Sequence, residues 1–393
     1  MTKLDELIQE LCPDGVSFIP IKDLLKQKSI CTITPSFKIK RNDYKESGSV
    51  PIISQEQEFI SGYSERNDNN IPQKNYVCFG DHSEHIKYVD FAFVQGADGL
   101  KIMYTNENII LARYLYHTAL AYYRRHDNYE HFKYFGDTAI PLPPLPVQSE
   151  IVRILDNFTE LTTELTTELT ARKKQYEFYR DKLLTFGDVR GGATSDVAWR
   201  TLGELYPEIR NGFVGTVTPF FSNKENGVLY LRGTNIHDGA ISDEDVVYVS
   251  KDFHEKHIRT ELKSDDIIMV QSGHVGECAV VGRKYAGANC HALIVMSNGG
   301  TCNSKYIVYY LHSSEGKKKL NAITTGGTVK HILASKMKEF VVPIPPLDVQ
   351  ERLVHVLDNF DAICSDLKIG LPAEIEARQK QYEFYRDALL TYA

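Results

Sequence analysis

The sequence predicts an α+β chain. Two unlike heads of short, mainly antiparallel strands are joined by two long helical segments that pack as an antiparallel coiled coil, with pseudo-two-fold character. Three observations carry this prediction. Two blocks of sequence are written twice in the same order, each repeated block bears an apolar stripe at helical spacing, and the stretches in front of them break into strand-like runs.

The duplication comes first. PLPPLPVQSEIVRILDNF at 141–158 returns as PIPPLDVQERLVHVLDNF at 343–360, and KQYEFYRDKLLTF at 174–186 returns as KQYEFYRDALLTY at 380–392. A shared octamer and a shared order mark an internal duplication. The two blocks recur at different spacings, so the second copy is longer between its markers by about one helical turn. FIPIKDLL at 18–25 has the shape of WRTLGELY at 199–206, so each copy also has a matching start.

Between these starts and the proline-rich markers lie two stretches that share almost no words. In the first, PIISQEQEFISGY, NYVCFG, YVDFAFVQG and LKIMY read as strands, and ILARYLYHTALAYYRRH reads as a helix. In the second, VLYLRG, DVVYVS, DIIMVQSG, CAVVGRKY and HALIVMS read as strands, with KYIVYYLHSSEGKKKLNAI as the helical counterpart. Shared struts carrying diverged heads imply that the heads meet different things.

The struts follow from periodicity. Ile151, Leu155, Phe158, Leu161, Leu165, Leu169, Tyr176, Tyr179 and Leu183 recur every three or four residues and trace one face of a helix. Unbroken from Val147 to Phe186, it would be about 60 Å long. The second copy carries Leu353, Val356, Leu357, Phe360, Ile363, Leu367, Ile375, Tyr382, Tyr385 and Leu389, and GLPAE at 370–374 predicts a break there. Inside the first strut TELTTELTTELT, residues 159–170, repeats a unit of about one turn. Each unit is worth about 6 Å of length and about 40° of phase, so the repeat behaves as a spacer.

Composition sets the boundaries. Of 393 residues, 42% are hydrophobic, and no apolar run approaches the roughly 20 residues that cross a bilayer, so no membrane is expected. MTKLDELIQELCPDG lacks an apolar signal core, which predicts a cytoplasmic protein. Seven cysteines without a C-x-x-C pair fit a reducing compartment, and the spacing of Cys278, Cys290, His291 and Cys302 matches no zinc framework. The net charge of −7 argues against indiscriminate coating of nucleic acid but leaves room for a local basic surface. No phosphate-cradling or dinucleotide glycine motif is present, and no methyltransferase motif, so no catalytic residue and no metal ligand is predicted.

The duplicated P-[LI]-P-P-L-x-V-Q-x-x-[IL]-V-x-[VI]-L-D-N-F, followed by A-R-x-K-Q-Y-E-F-Y-R-D-x-L-L-T-[FY], resembles the shared regions of the DNA-specificity subunit of type I restriction-modification systems. The resemblance runs from end to end. It implies an N-terminal segment and first target recognition domain at 1–139, a central helical spacer at 140–187, a second target recognition domain at 188–340 and a distal helical region at 341–393. It further implies that each recognition domain reads one half of a split, asymmetric target in double-stranded DNA. The helices would set the gap and hold two modification (methyltransferase) subunits, with restriction subunits completing the complex. S-adenosylmethionine, ATP and Mg would then belong to those partners, and this chain would be no enzyme. One departure stands out: the two struts differ around the TELT repeat. The rival reading is a coiled-coil scaffold that binds proteins and no DNA.

Base edges are read by Arg, Lys, Asn and Gln, and phosphates by cations, hydroxyls and amides. On that ground the first head offers Arg66, Asn67, Asn69, Asn70, Lys74, Gln95 and Lys101. The second offers Arg210, Asn211, Arg232, Asn235, Gln271, Ser272, His274, Thr328, Lys330 and His331. Tyr176, Phe178 and Tyr179, repeated as Tyr382, Phe384 and Tyr385, are expected to pack the struts or dock a subunit.

Overall fold

The computed structural model describes residues 2–35, 37–65, 70–96, 98–126, 131–186, 197–326, 330–365 and 370–391. The chain divides into two compact units, Met1–Thr167 with Ala373–Ala393, and Glu168–Pro372.

The first unit opens with helix Lys3–Leu11, capped by Thr2 and pinned by Lys3 to Glu150 at 2.9 Å. Strand Phe18–Pro20 then pairs antiparallel with Ala139–Pro141, so the head leaves and returns at one two-stranded stem. Its main sheet runs Ile30–Ile33, Leu100–Thr105, Tyr76–Gly80, Ile86–Val89, all antiparallel. A second sheet sets Val50–Ile53 antiparallel to Gly62–Ser64 and parallel to Val94–Gln95. Helix Ala112–Tyr122 covers the main sheet, burying Tyr114, Leu115 and Ala119 with Val77, Phe79 and Met103.

The second unit repeats this plan with other residues. Its stem pairs Ala198–Thr201 with Val341–Ile344. Its main sheet runs Glu208–Asn211, Leu293–Ser297, Ile267–Val270, Cys278–Val280, in the same order and sense as the first. The other sheet again combines antiparallel pairing, Gly227–Leu231 on Val247–Ser250, with a parallel partner, Asn289–Cys290. Heads without common words thus share one frame. The segment expected as a single helix here is two, Ser304–His312 and Ser314–Ile323, because Ser313 ends the first and its hydroxyl accepts from the Gly316 amide to start the second.

The spacer is one helix, Leu145–Leu184, and the distal region is two, Leu347–Ser365 and Leu371–Leu390. Pro372 lies in the first turn of the last helix, as the sequence predicts. Within each unit the helices pair antiparallel. In the first, Phe158 stacks on Tyr385, while Thr166 and Thr167 share a cavity of about 540 Å³ with Gln379. In the second, Tyr179 stacks on Phe360, while Tyr176 lies by Asp361 and Cys364.

The TELT segment departs from the expected leucine stripe. Leu161 is exposed, and Leu165 and Leu169 are half-buried. Thr159, Thr162, Thr163, Thr166 and Thr167 line the cavity instead, and each hydroxyl donates to the carbonyl four residues back at 2.7–3.1 Å. The helix face satisfies its own polar groups. Among the described residues no helix is long and apolar enough to cross a membrane, and no cluster of His, Cys, Asp and Glu could hold a metal ion.

Candidate nucleic-acid interface

Each head is fixed to its helix by a repeated glutamine. Gln148 is buried, its Oε1 accepts from the Leu111 amide (3.0 Å), and its Nε2 donates to the Ile109 and Pro143 carbonyls. Gln350 does the same, accepting from the Asn303 amide (2.9 Å) and donating to Pro345 (2.8 Å). Tyr114 and Tyr306, at the starts of the head helices, donate to the carbonyls of Pro141 and Pro343. The repeated aspartates complete the junction: Asp156 meets Arg113 at 2.7 Å and His117 at 3.0 Å, and Asp358 meets Lys305 at 2.7 Å and Tyr309 at 2.5 Å. The main chain of each head is therefore held in place at the head of its long helix.

Against that rigid mount, the candidate reading residues separate by environment. Asn235 is fully buried, accepts from the Arg232 amide and donates to the Glu244 carbonyl. Gln95 is buried and donates to Leu100. Arg210 gives its guanidinium to the carbonyls of Arg259 and Glu261 and the hydroxyl of Ser297, and Arg232 donates to the Asp245 carbonyl. These four spend side-chain donors inside the fold. Lys74 lies 3.8 Å over the Tyr104 ring, Lys101 is 3.2 Å from Asp81, Asn70 is half-buried, and Asn211 is exposed at a strand end. Arg66, Asn67, Asn69 and Thr328 lie outside the described residues.

One group converges. The hairpin between Ile267–Val270 and Cys278–Val280 carries Gln271, Ser272 and His274, and it meets the segment holding Lys330 and His331. Ser272 bridges His331, His331 bridges Thr325, and the Ile332 amide donates to the Gln271 carbonyl at 3.0 Å. Gly273 and Gly276, at φ +82° and +94°, allow the tight turn, and His274, Lys330 and His331 are exposed. An exposed cation, imidazoles and hydroxyls at one edge of a sheet can contact base edges and phosphates together.

The helical aromatics also separate. Tyr382 is buried, with its hydroxyl 2.9 Å from His117 Nδ1, and Tyr176 packs into the core of the second unit. Tyr179 and Tyr385 form the stacks already described. Phe178 and Phe384, at matching places in the two copies, are 61% and 69% exposed, so they are the members of this set free for a partner.

Comparison with known proteins settles the family. The model of the type I restriction modification DNA specificity domain matches twice, at residues 22–173 and 206–377, once for each head with its helix. The chain belongs to that family. A type I restriction enzyme specificity subunit of Escherichia coli is 30% identical over 420 aligned residues, covering all of this chain and 97% of the relative. One from Haemophilus influenzae is 30% identical over 65% of this chain and 64% of its own length. The fold matches a solved chain from a study of type I restriction-modification complex assembly (TM-score 0.59, 15% identity, 97% of this chain and 98% of that one). It also matches the S subunit of M. genitalium (0.56, 12% identity, 95% and 96%).

Proposed function

We propose that this chain is the specificity subunit of a type I restriction-modification complex, in which each head reads one half of a bipartite, asymmetric target in double-stranded DNA. The observation that carries the proposal is the double match: one specificity domain per head, each mounted by the same glutamine, tyrosine and aspartate contacts. The long helices set the gap between half-sites, and two modification subunits dock around Phe178 and Phe384. The chain itself is not catalytic. Methylation with S-adenosylmethionine, and translocation and cleavage with ATP and Mg, belong to the modification and restriction subunits, and the complex works in the cytoplasm.

The test is to express the full chain with its modification subunit and map methylated positions across a genome, beside a variant lacking residues 167–170. Wild type should give two fixed half-sites with a fixed gap. Since Thr159, Thr162, Thr163, Thr166 and Thr167 bond to their own helix, the repeat leans little on outside partners for its hydroxyls, and the variant should fold. Its half-sites should keep their bases while the gap shortens by about one base pair, bending of the DNA absorbing the rest of the lost length. An unchanged gap with full activity would remove the spacer role; altered bases would mean that the repeat itself reads DNA.

A further inference from the structure

The second head gathers its exposed reading candidates where a hairpin tip meets the segment that returns towards the stem. The first head has the same place in its fold. Strands Tyr76–Gly80 and Ile86–Val89 hold the positions of Ile267–Val270 and Cys278–Val280 in the main sheet. The turn between them is Asp81-His82-Ser83-Glu84-His85, and the segment after the head helix brings Arg124, Arg125 and His126 beside it. None of these is a residue that the sequence singles out.

We propose that the first head grips DNA through this turn, with His82 and the adjoining Arg125 and His126 as the contacting side chains. The proposal rests on the reading of both heads as DNA readers and locates the first head's contact. Two observations beyond the topology support it. His82, Arg124, Arg125 and His126 are all exposed, while the two acids of the turn itself are turned to other use: Asp81 accepts from the Phe132 amide and faces Lys101, and Glu84 points inward. The turn and the segment beside it thus present two arginines and two imidazoles outward, which suits phosphates and the acceptor edge of guanine.

The turn is also built to hold its shape. Glu84 sits at φ +57°, a conformation disfavoured for any residue with a β-carbon, and its side chain ties the turn to the neighbouring segment. Its carboxylate accepts from the Tyr123 hydroxyl (2.8 Å) and the His126 amide (2.9 Å). On the other side the His82 amide donates to Gln55 Oε1 at 3.1 Å, and the Ser83 hydroxyl donates to the Gln55 carbonyl. A β-carbon at Gly80 would fall 2.2 Å from Ser83 Oγ and would displace that hydroxyl. A surface turn so fixed presents His82 and Arg125 without the ordering cost of a free loop.

The test uses the full chain with its modification subunit and a duplex carrying the mapped target. His82→Ala with Arg125→Ala in the first head is compared with His274→Ala with Lys330→Ala in the second. All four side chains are exposed, so thermal midpoints should match wild type. The first pair should weaken binding by about tenfold or more, lessen its salt dependence and relax base preference in one half-site only, and the second pair should do so in the other. Wild-type affinity and base preference in the first pair, with a sequence-selective wild type, would overturn this contact alone. A wild type that shows no sequence preference would overturn the DNA-reading function and this contact together.

Discussion

The two head mounts make the same joint from different chemistry. In the first unit Asp156 meets Arg113 and His117, and His117 passes its other ring nitrogen to Tyr382. In the second, Asp358 meets Lys305 and the hydroxyl of Tyr309, which occupies the place of His117. A carboxylate facing a cation and a hydrogen-bonding ring is what the joint needs; which ring supplies it is free to vary. The difference is consequential all the same, because imidazole titrates near neutral pH and phenol does not.

The strongest test of equivalence exchanges a whole head. Replacing residues 18–136 by the first head of another family member should change every specified base in one half-site and none in the other, as read by methylation mapping. A change in both halves would break the picture of independent readers. Next comes a contrast between neighbours two residues apart. Tyr382→Ala should cost on the order of 3–5 kcal/mol in urea unfolding, since it empties a buried aromatic site and leaves His117 Nδ1 without its partner, whereas Phe384→Ala should leave stability near wild type and weaken binding of the modification subunit in gel filtration.

Smaller effects should follow at the glutamines. Gln148→Ala and Gln350→Ala each leave a half-buried head amide without its acceptor and should cost about 1–3 kcal/mol apiece, detected as early exchange of the Leu111 or Asn303 amide. The smallest effect separates the units by pH. Burial holds the His117 pKa below its usual value, against the pull of its Asp156 bond. The unfolded chain therefore takes up this proton first. Stability from the neutral ring is complete above about pH 6.5 and declines as the pH falls below it, by at most about 1.4 kcal/mol per pH unit. Tyr309, whose pKa burial raises, stays protonated over that range. His117→Ala should lower stability and flatten this slope between about pH 7.5 and about pH 5.5; an unchanged slope would show that other groups set it.

Much of this architecture was legible because repetition survives where it touches repetition. PPLxVQ and KQYEFYRD bind the same partners in both units, so their letters persist, and the antiparallel helices, the break before Pro372 and the α+β class followed from them. The common frame of the heads was not legible as words, since a strand such as Tyr76–Gly80 or Ile267–Val270 needs only buried apolar side chains. Residue type also leaves the environment of the reading candidates open. Asn235, Gln95 and Arg210 have the right chemistry for bases, but whether backbone carbonyls claim them depends on distant segments. DHSEH carries none of the Lys and Asn that mark a DNA loop, and its neighbour Arg125 is distant in sequence. The leucines of TELT follow helical spacing as well as its threonines do, and the sequence does not say which of the two stripes faces the cavity.

Gln148 and Gln350 address mainly amides and carbonyls in the chains they hold. Those groups are the same in every polypeptide. The glutamine part of the joint therefore asks nothing of side-chain identity, and the demand on sequence falls to the residues facing Asp156 and Asp358. A head that offers an amide and a carbonyl at these places meets the same glutamine whatever side chains it carries there.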